Sequence, residues 1–344
     1  MMANLLIYGR QFILVLFSFY AFAQKPDSLK TKKDNPKPNF GTLFKSNDTL
    51  QFSITAHMKP LLRDRGEKPI YHLGQVQFKT TKSKNIQLPI KIRVRGNFRK
   101  STQNCAFPPL LLNFDKKNDG NSVFNRQNRL KLVTHCIKRD NIIKEQLVYR
   151  IYNLLTDYSF KSRLTKVTYI DSAAKRPSET RLAFLIEDET ILAKRIGTKP
   201  YTKVRLRQNQ LDTLTMATIS IFEFMIGNTD WSVPYLHNIK VFYKEAALPI
   251  PVPYDFDHSG IVNATYAYPA EELNIASVKE RLYRGIYYSR PILDRVFAKF
   301  REVKPQVYAL YEGNPGLDKS YIKYVTDYLD DFYEIIDNEK SIKN

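Results

Sequence analysis

Cysteine, tryptophan, histidine and glycine are all scarce in this chain, and each scarcity excludes something. Two cysteines, five scattered histidines and no CxxC pair argue against a thiol redox centre or a zinc site. Trp231 is the single tryptophan, so the aromatic platform expected of a sugar cleft is missing. That counts against a glycoside hydrolase, whose two carboxylates would stand about 5 or 6.5–9.5 Å apart. No zinc module, basic zipper or single-strand-reading aromatic motif is present, so specific nucleic-acid recognition is not expected. Beyond residue 22 no apolar run is long enough to cross a bilayer.

What the chain has instead is basic charge, a formal +20 spread along its 344 residues. Such a surface attracts anions in general: nucleotides, anionic lipids or acidic polymers. The N-terminus reads as a leader over residues 1–23, with Arg10, the apolar run 12–22, and Ala21-Phe22-Ala23 before Gln24. An uncleaved membrane anchor is the alternative. Cleavage implies an exported chain, periplasmic or extracellular at the cell surface, with no transmembrane span left. Residues 24–49 are expected to form a flexible linker, since 25–39 are rich in Lys, Pro, Asp and Asn and almost free of apolar side chains.

Apolar periodicity then divides the chain. Residues 52–62 and 71–80 read as strands, and 87–95 alternate strictly, Ile90, Ile92 and Val94 against Lys91, Arg93 and Arg95. The runs 107–114 and 130–135 predict a hairpin centred near Gly120, which places Cys105 and Cys136 opposite each other at its open end. A disulfide there is the expected use of two cysteines in an oxidising compartment; two unpaired thiols are the alternative. Asp140 predicts an N-cap for an amphipathic helix over 141–158, and 164–171 with 181–187 predict a second hairpin. Residues 211–226 are apolar around most of a helical circumference and end at Gly227. Strands follow at 239–243 and 250–256, then a polar, Tyr-rich stretch, 263–276, expected to be mobile, and two amphipathic helices. The sum is an α+β fold of two lobes, a strand-rich 50–187 and a mainly helical 188–344, with a cleft between them.

The chemistry concentrates between Gly227 and Gly260. Asp230 follows the buried helix, Asn238 opens a strand, and Asp255 and Asp257 close the next one. On an extended segment the last two share a face, about 6.5 Å apart. A phosphoryl-transfer site needs a carboxylate near the attacking hydroxyl, oxygen ligands for a divalent cation, and a cation on the phosphates. Each residue also has a plainer reading: Asp230 and Asn238 as turn formers, Asp255 and Asp257 as a solvated strand end, Lys131 and Arg95 as solvent-facing strand residues, and His258, which beside Asp257 could ligate a metal, as an exposed loop histidine.

Asp230, Asn238 and Asp255-Phe256-Asp257 in that order, with Arg95-Gly96-Asn97 and the Arg129–Leu132 strand upstream, resemble the protein-kinase-like fold and specifically the atypical spore-coat CotH kinase family. The resemblance spans roughly residues 87–260 and implies a two-lobed kinase-like architecture. It implies Asp230 as catalytic aspartate, Asn238, Asp255 and Asp257 as ligands of Mg or Mn, and Lys131 on the phosphates of ATP or another nucleotide. Glu187 and Asp188 would face the adenine through their backbone, and Arg95, Arg99 or Lys100 would stand in for a glycine-rich loop, of which only Gly96 is present. Glu145 is the helix residue available to pair with Lys131, although it lies about 200° from Ile143. The acceptor would be a protein or glycan. A catalytically silent kinase-like surface protein that binds anionic polymers is the alternative.

Overall fold

The computed structural model describes residues 40–80, 83–115, 122–136, 140–202 and 205–340, all within one compact unit. The predicted leader, the stretch 25–39, the hairpin tip at Gly120 and the capping side chain of Asp140 lie outside the described residues. In residues 40–49, the end of the predicted linker, Leu43 is fully buried, and Arg163 donates to the carbonyls of Leu43 and Asp48.

Seven strands form a closed barrel: β1 (Leu50–Ala56), β2 (His72–Lys79), β3 (Asn85–Val94), β4 (Leu110–Phe114), β5 (Arg129–Thr134), β6 (Ser162–Asp171) and β7 (Glu179–Ile186), in the order β1-β2-β3-β4-β5-β7-β6. Closure comes from β1 running parallel to β6, with Leu50 opposite Thr165 and Ala56 opposite Asp171. This overturns the two-lobed kinase-like architecture expected from sequence. The chain is α+β, but its first strands make a barrel without free edges, a different fold.

The alternating pattern of β3 puts Ile90, Ile92 and Val94 inside, where they meet Phe52, Ile54, Val76, Leu112 and Leu132. Phe124 is fully buried among Phe52, Phe78 and Phe114, with ring centroids 5.5, 5.4 and 4.9 Å away. The predicted strand 52–62 is instead β1 followed by a short helix, α1 (Met58–Arg63). Pro60 explains the change, since it cannot donate to a sheet ladder but is tolerated in the first turn of a helix.

A second core lies outside the barrel. It is built by α2 (Asp140–Leu155), α3 (Glu189–Arg195), α4 (Thr213–Ile226), α5 (Arg290–Ala309), α6 (Lys319–Asp337) and a small sheet of β8 (Lys199–Pro200), β9 (Ile239–Tyr243) and β10 (Ile250–Pro253). The helix α2 stops before Thr156 and is buried around nearly all its circumference, including Lys144, Glu145 and Gln146. Among the described residues no helix is long and apolar enough to cross a membrane.

Cys105 and Cys136 form the expected disulfide, across the open end of the β4–β5 hairpin, with 31 residues of separation and Cα atoms 4.8 Å apart. Loop closure of this length is worth about 3–4 kcal/mol in a chain-entropy model. The double variant Cys105→Ser/Cys136→Ser is therefore expected to lower the urea midpoint by an amount equivalent to about 2–4 kcal/mol, and reductant should do the same to the wild type only.

Candidate active site

Three connections converge on one cavity. The first leaves β3 as Arg95-Gly96-Asn97-Phe98-Arg99, the second is the turn after α4, and the third follows β10. Together they line a space of about 360 Å³ that includes Arg95, Arg99, Asp230, Asn238, Asp255 and Asp257. Arg95, Asp230, Asn238, Asp255 and Asp257, to which the resemblance assigns catalytic, phosphate or metal roles, thus share one cavity, with Gly96 and His258 beside them.

The turn after α4 is built to present Asp230. Gly227 ends the helix at φ +64°, and a Cβ there would lie 2.0 Å from the Tyr328 hydroxyl oxygen, so only glycine fits. Asn228 Nδ2 donates to Glu223 Oε2 at 2.9 Å, and the Asp230 amide donates back to Asn228 Oδ1 at 3.1 Å. The chain then doubles back through a bridge between Ser232 and His237. As a result His237 Nε2 lies 2.8 Å from Asp230 Oδ1, and Asn238 Nδ2 donates to Asp230 Oδ2 at 3.0 Å. Both carboxylate oxygens are gripped while the Asp230 side chain stays 40% exposed to the cavity.

The Asp255 segment is not the extended strand expected from its sequence. β10 ends at Pro253, Asp255 sits at φ +66°, and its amide donates to the Tyr149 hydroxyl at 2.9 Å. A non-glycine residue in this region costs free energy and is retained where the surroundings fix it. The common face predicted from strand alternation therefore does not exist; a tight turn brings both carboxylates to the cavity instead.

Their environments differ. Asp257 Oδ2 receives Arg99 Nε at 3.0 Å and Nη2 at 2.6 Å, and the Tyr266 hydroxyl at 2.9 Å. Burial alone would raise its pKa, but the Arg99 guanidinium, helped by His258, holds it below the usual carboxylate range. Asp255 has no side-chain hydrogen bond among the described residues, and burial together with repulsion from Asp257 pushes its pKa up. Arg99 Nη2 also donates to Glu145 Oε2 at 2.7 Å. One guanidinium thus faces two carboxyls. Asp257 keeps the charge, and burial raises the pKa of Glu145 to about 8. Its Oε1 is buried without a partner, as suits a carboxyl that holds a proton.

Two expectations change here. Glu145 pairs with Arg99 and not with Lys131, because α2 is buried on every side and the 200° offset from Ile143 points to the Arg99 loop rather than to solvent. The stretch 263–276 is not a free loop: Ala264 and Ala267 are buried and Tyr266 binds Asp257.

The remaining candidates lie outside the cavity wall. Lys131 Nζ sits 5.1 Å from the centre of the Tyr254 ring and 5.9 Å from that of Phe160. Burial, then repulsion from Arg95 and Lys240, lowers its pKa to about 8. The Glu187 amide donates to Lys161 O, and its carboxylate takes Arg195 Nε and Nη2, each at 2.9 Å. Asp188 caps α3, accepting from the Thr190 amide, and its carbonyl is engaged by Ile191 and Leu192. The Glu187 amide and the Asp188 carbonyl, two of the backbone groups that the resemblance assigns to adenine, are thus engaged within the fold.

Sequence reasoning missed His237, Tyr266 and the Arg99–Glu145 link. His237 had a signal in its place beside Asn238; Tyr266 had none, and Arg99, a candidate only for a phosphate cradle, had none for its acidic partners, Asp257 lying 158 residues away.

No three His, Cys, Asp or Glu side chains among the described residues are grouped to hold a metal ion. A cation here would have to draw on the amide of Asn238 as well as on carboxylates. A scan against protein-family models and a search of curated proteins return no match to this chain.

Proposed function

We propose that the cavity transfers a phosphoryl group from a nucleotide to a hydroxyl on a protein or glycan. The reading concerns the reaction alone and does not require a kinase-like architecture, which the barrel replaces. The observation that carries it is the pairing, across one cavity, of a gripped and exposed Asp230 with an unpartnered Asp255. Asp230, oriented by His237 and Asn238, is placed to accept the proton of an attacking hydroxyl.

The donor set fits a hard divalent cation such as Mg or Mn. Among the described residues neither the Asp255 carboxylate nor Asn238 Oδ1, whose Nδ2 is turned to Asp230, accepts a hydrogen bond. When bound, such a cation offsets phosphate charge, as Arg95 and the more distant Lys131 do from the chain itself. Arg99 fixes Asp257 and thereby the turn that carries Asp255. The disulfide supports an oxidising, extracytoplasmic compartment.

A second reading, a site that binds without catalysing, is favoured by one observation: Arg99 already neutralises Asp257. The two are separated by labelled-ATP transfer in the presence of Mn or Mg. Transfer by wild type that disappears in Asp255→Asn supports the enzyme. ATP binding, seen as a metal-dependent rise in melting temperature but without transfer, supports the silent site. No binding at all removes both.

A further inference from the structure

A second cavity lies apart from the Asp230 site. It measures about 760 Å³ and opens at one end of the barrel, where α1, the loop between β3 and β4, the end of β5 and the β6–β7 turn meet. Its wall carries Lys59, Arg63, Arg65, Lys175, Arg176 and Arg181 against a single acid, Glu179.

The cations fall into two groups. Arg65 donates to the carbonyls of Leu62, Cys105 and Ala106, and Arg181 is paired with Glu179, so these two are structural. Lys59, Arg63, Lys175 and Arg176 are exposed and make no side-chain hydrogen bond or ion pair among the described residues. Four like charges gathered around one concavity repel each other in the free protein, and that repulsion is relieved by an anion.

The frame beneath them is fixed. The Asp171 carboxylate accepts from the Met58 amide at 3.0 Å and the Lys175 amide at 3.0 Å, tying the start of α1 to the β6–β7 turn. Arg65 and the Cys105–Cys136 disulfide hold the opposite wall. The backbone that presents these lysines and arginines is thus fixed before a ligand arrives, and only their side chains have to order on it.

We propose that this cavity binds a compact ligand carrying several phosphate groups. The volume lies in the range of small-ligand sites, about 300–1,000 Å³, and exceeds what a single phosphate fills. Arginine forks at two of the four positions suit tetrahedral oxyanions. The proposal is independent of the phosphoryl-transfer reading, because none of these residues lines the Asp230 cavity.

The test is calorimetric titration of the full chain with inorganic tripolyphosphate and, separately, with long-chain polyphosphate. The expected result is saturable 1:1 binding of tripolyphosphate. Removing the free cations in Arg63→Ala/Lys175→Ala/Arg176→Ala should weaken it at least about tenfold. A control with as many exposed cations removed elsewhere, Lys45→Ala/Lys79→Ala/Lys84→Ala, should stay within about twofold. Thermal melts of both variants verify that they fold. Equal weakening by the two variants would mean diffuse attraction to a basic surface and would sink the proposal, as would the absence of tripolyphosphate binding. If tripolyphosphate binds 1:1 and long-chain polyphosphate is no tighter per chain, the ligand is a small molecule; much tighter binding of the polymer identifies an extended chain as the source of the same groups.

Discussion

Replacing Arg99 with methionine is expected to destabilise the folded protein by about 3–5 kcal/mol near pH 8 and by much less near pH 5. The guanidinium is buried between Asp257 and Glu145, where attraction to these carboxyls outweighs burial and raises its pKa well above the ordinary arginine value. Methionine of similar length keeps most of the packing but leaves two carboxyls in the interior without a cation. Their only route to neutrality is protonation, and pH controls that route. In the wild type Glu145 already holds its proton up to about 8, against 4.5 for an unperturbed glutamate. Between those values the folded state binds more protons than the unfolded one, so stability falls as pH rises. In Arg99→Met, Asp257 loses the charge that depresses its pKa, burial then dominates, and it joins Glu145 in the same window. The fall becomes steeper, and the gap between wild type and variant opens from pH 5 to pH 8. Urea midpoints at the two pH values measure this directly. Adding Glu145→Gln to Arg99→Met should recover part of the loss at pH 8, since it removes one of the two acids. A loss that is the same at both pH values would mean that Arg99 acts through packing alone.

The Arg99 cluster also marks the boundary of what the sequence discloses. Local features were readable because their causes are local: the alternation in β3, the apolar circumference of α4, Gly227 at its end, and the disulfide at the mouth of a hairpin. The barrel was not readable, because it depends on Leu50 to Ala56 lying alongside Thr165 to Asp171. Nothing in an apolar periodicity states which edge a strand will meet more than a hundred residues later. The same distinction holds in the site. Asp230 and Asn238 lie within one turn-and-bridge unit, and their proximity follows from the loop that joins them. Asp255 and Asp257 reach the cavity for a reason opposite to the one predicted, through a left-handed residue at Asp255 rather than an extended pair. Arg99 and Glu145 come from different elements, and only the buried setting of α2 turns a residue off the apolar stripe into the arginine's partner.

If the cavity transfers phosphoryl groups, Asp230→Asn is expected to lower kcat by about 10²–10⁴ while leaving the KM for nucleotide within about twofold. The asymmetry follows from the layout. Asp230 stands on the turn after α4, exposed to the cavity and gripped from behind by His237 and Asn238. Arg95 and Lys131, two of the cations whose charge acts on Asp255, are the ones this reading assigns to the phosphates. An amide at position 230 keeps the size of the side chain and can still accept from Asn238 through its oxygen, so fold and nucleotide contacts persist. It cannot take up a proton from the attacking hydroxyl, and that deficit appears only in the transition state. His237→Ala is expected to act through the same carboxylate at smaller amplitude, about tenfold in kcat, because Asn238 still holds Asp230 from one side. Asp255→Asn should differ in kind, raising the nucleotide and metal concentrations needed for half-maximal rate. Steady-state rates over a grid of nucleotide and metal concentrations separate the three. A KM effect from Asp230→Asn as large as its kcat effect would place Asp230 with the nucleotide and remove it from the role of base.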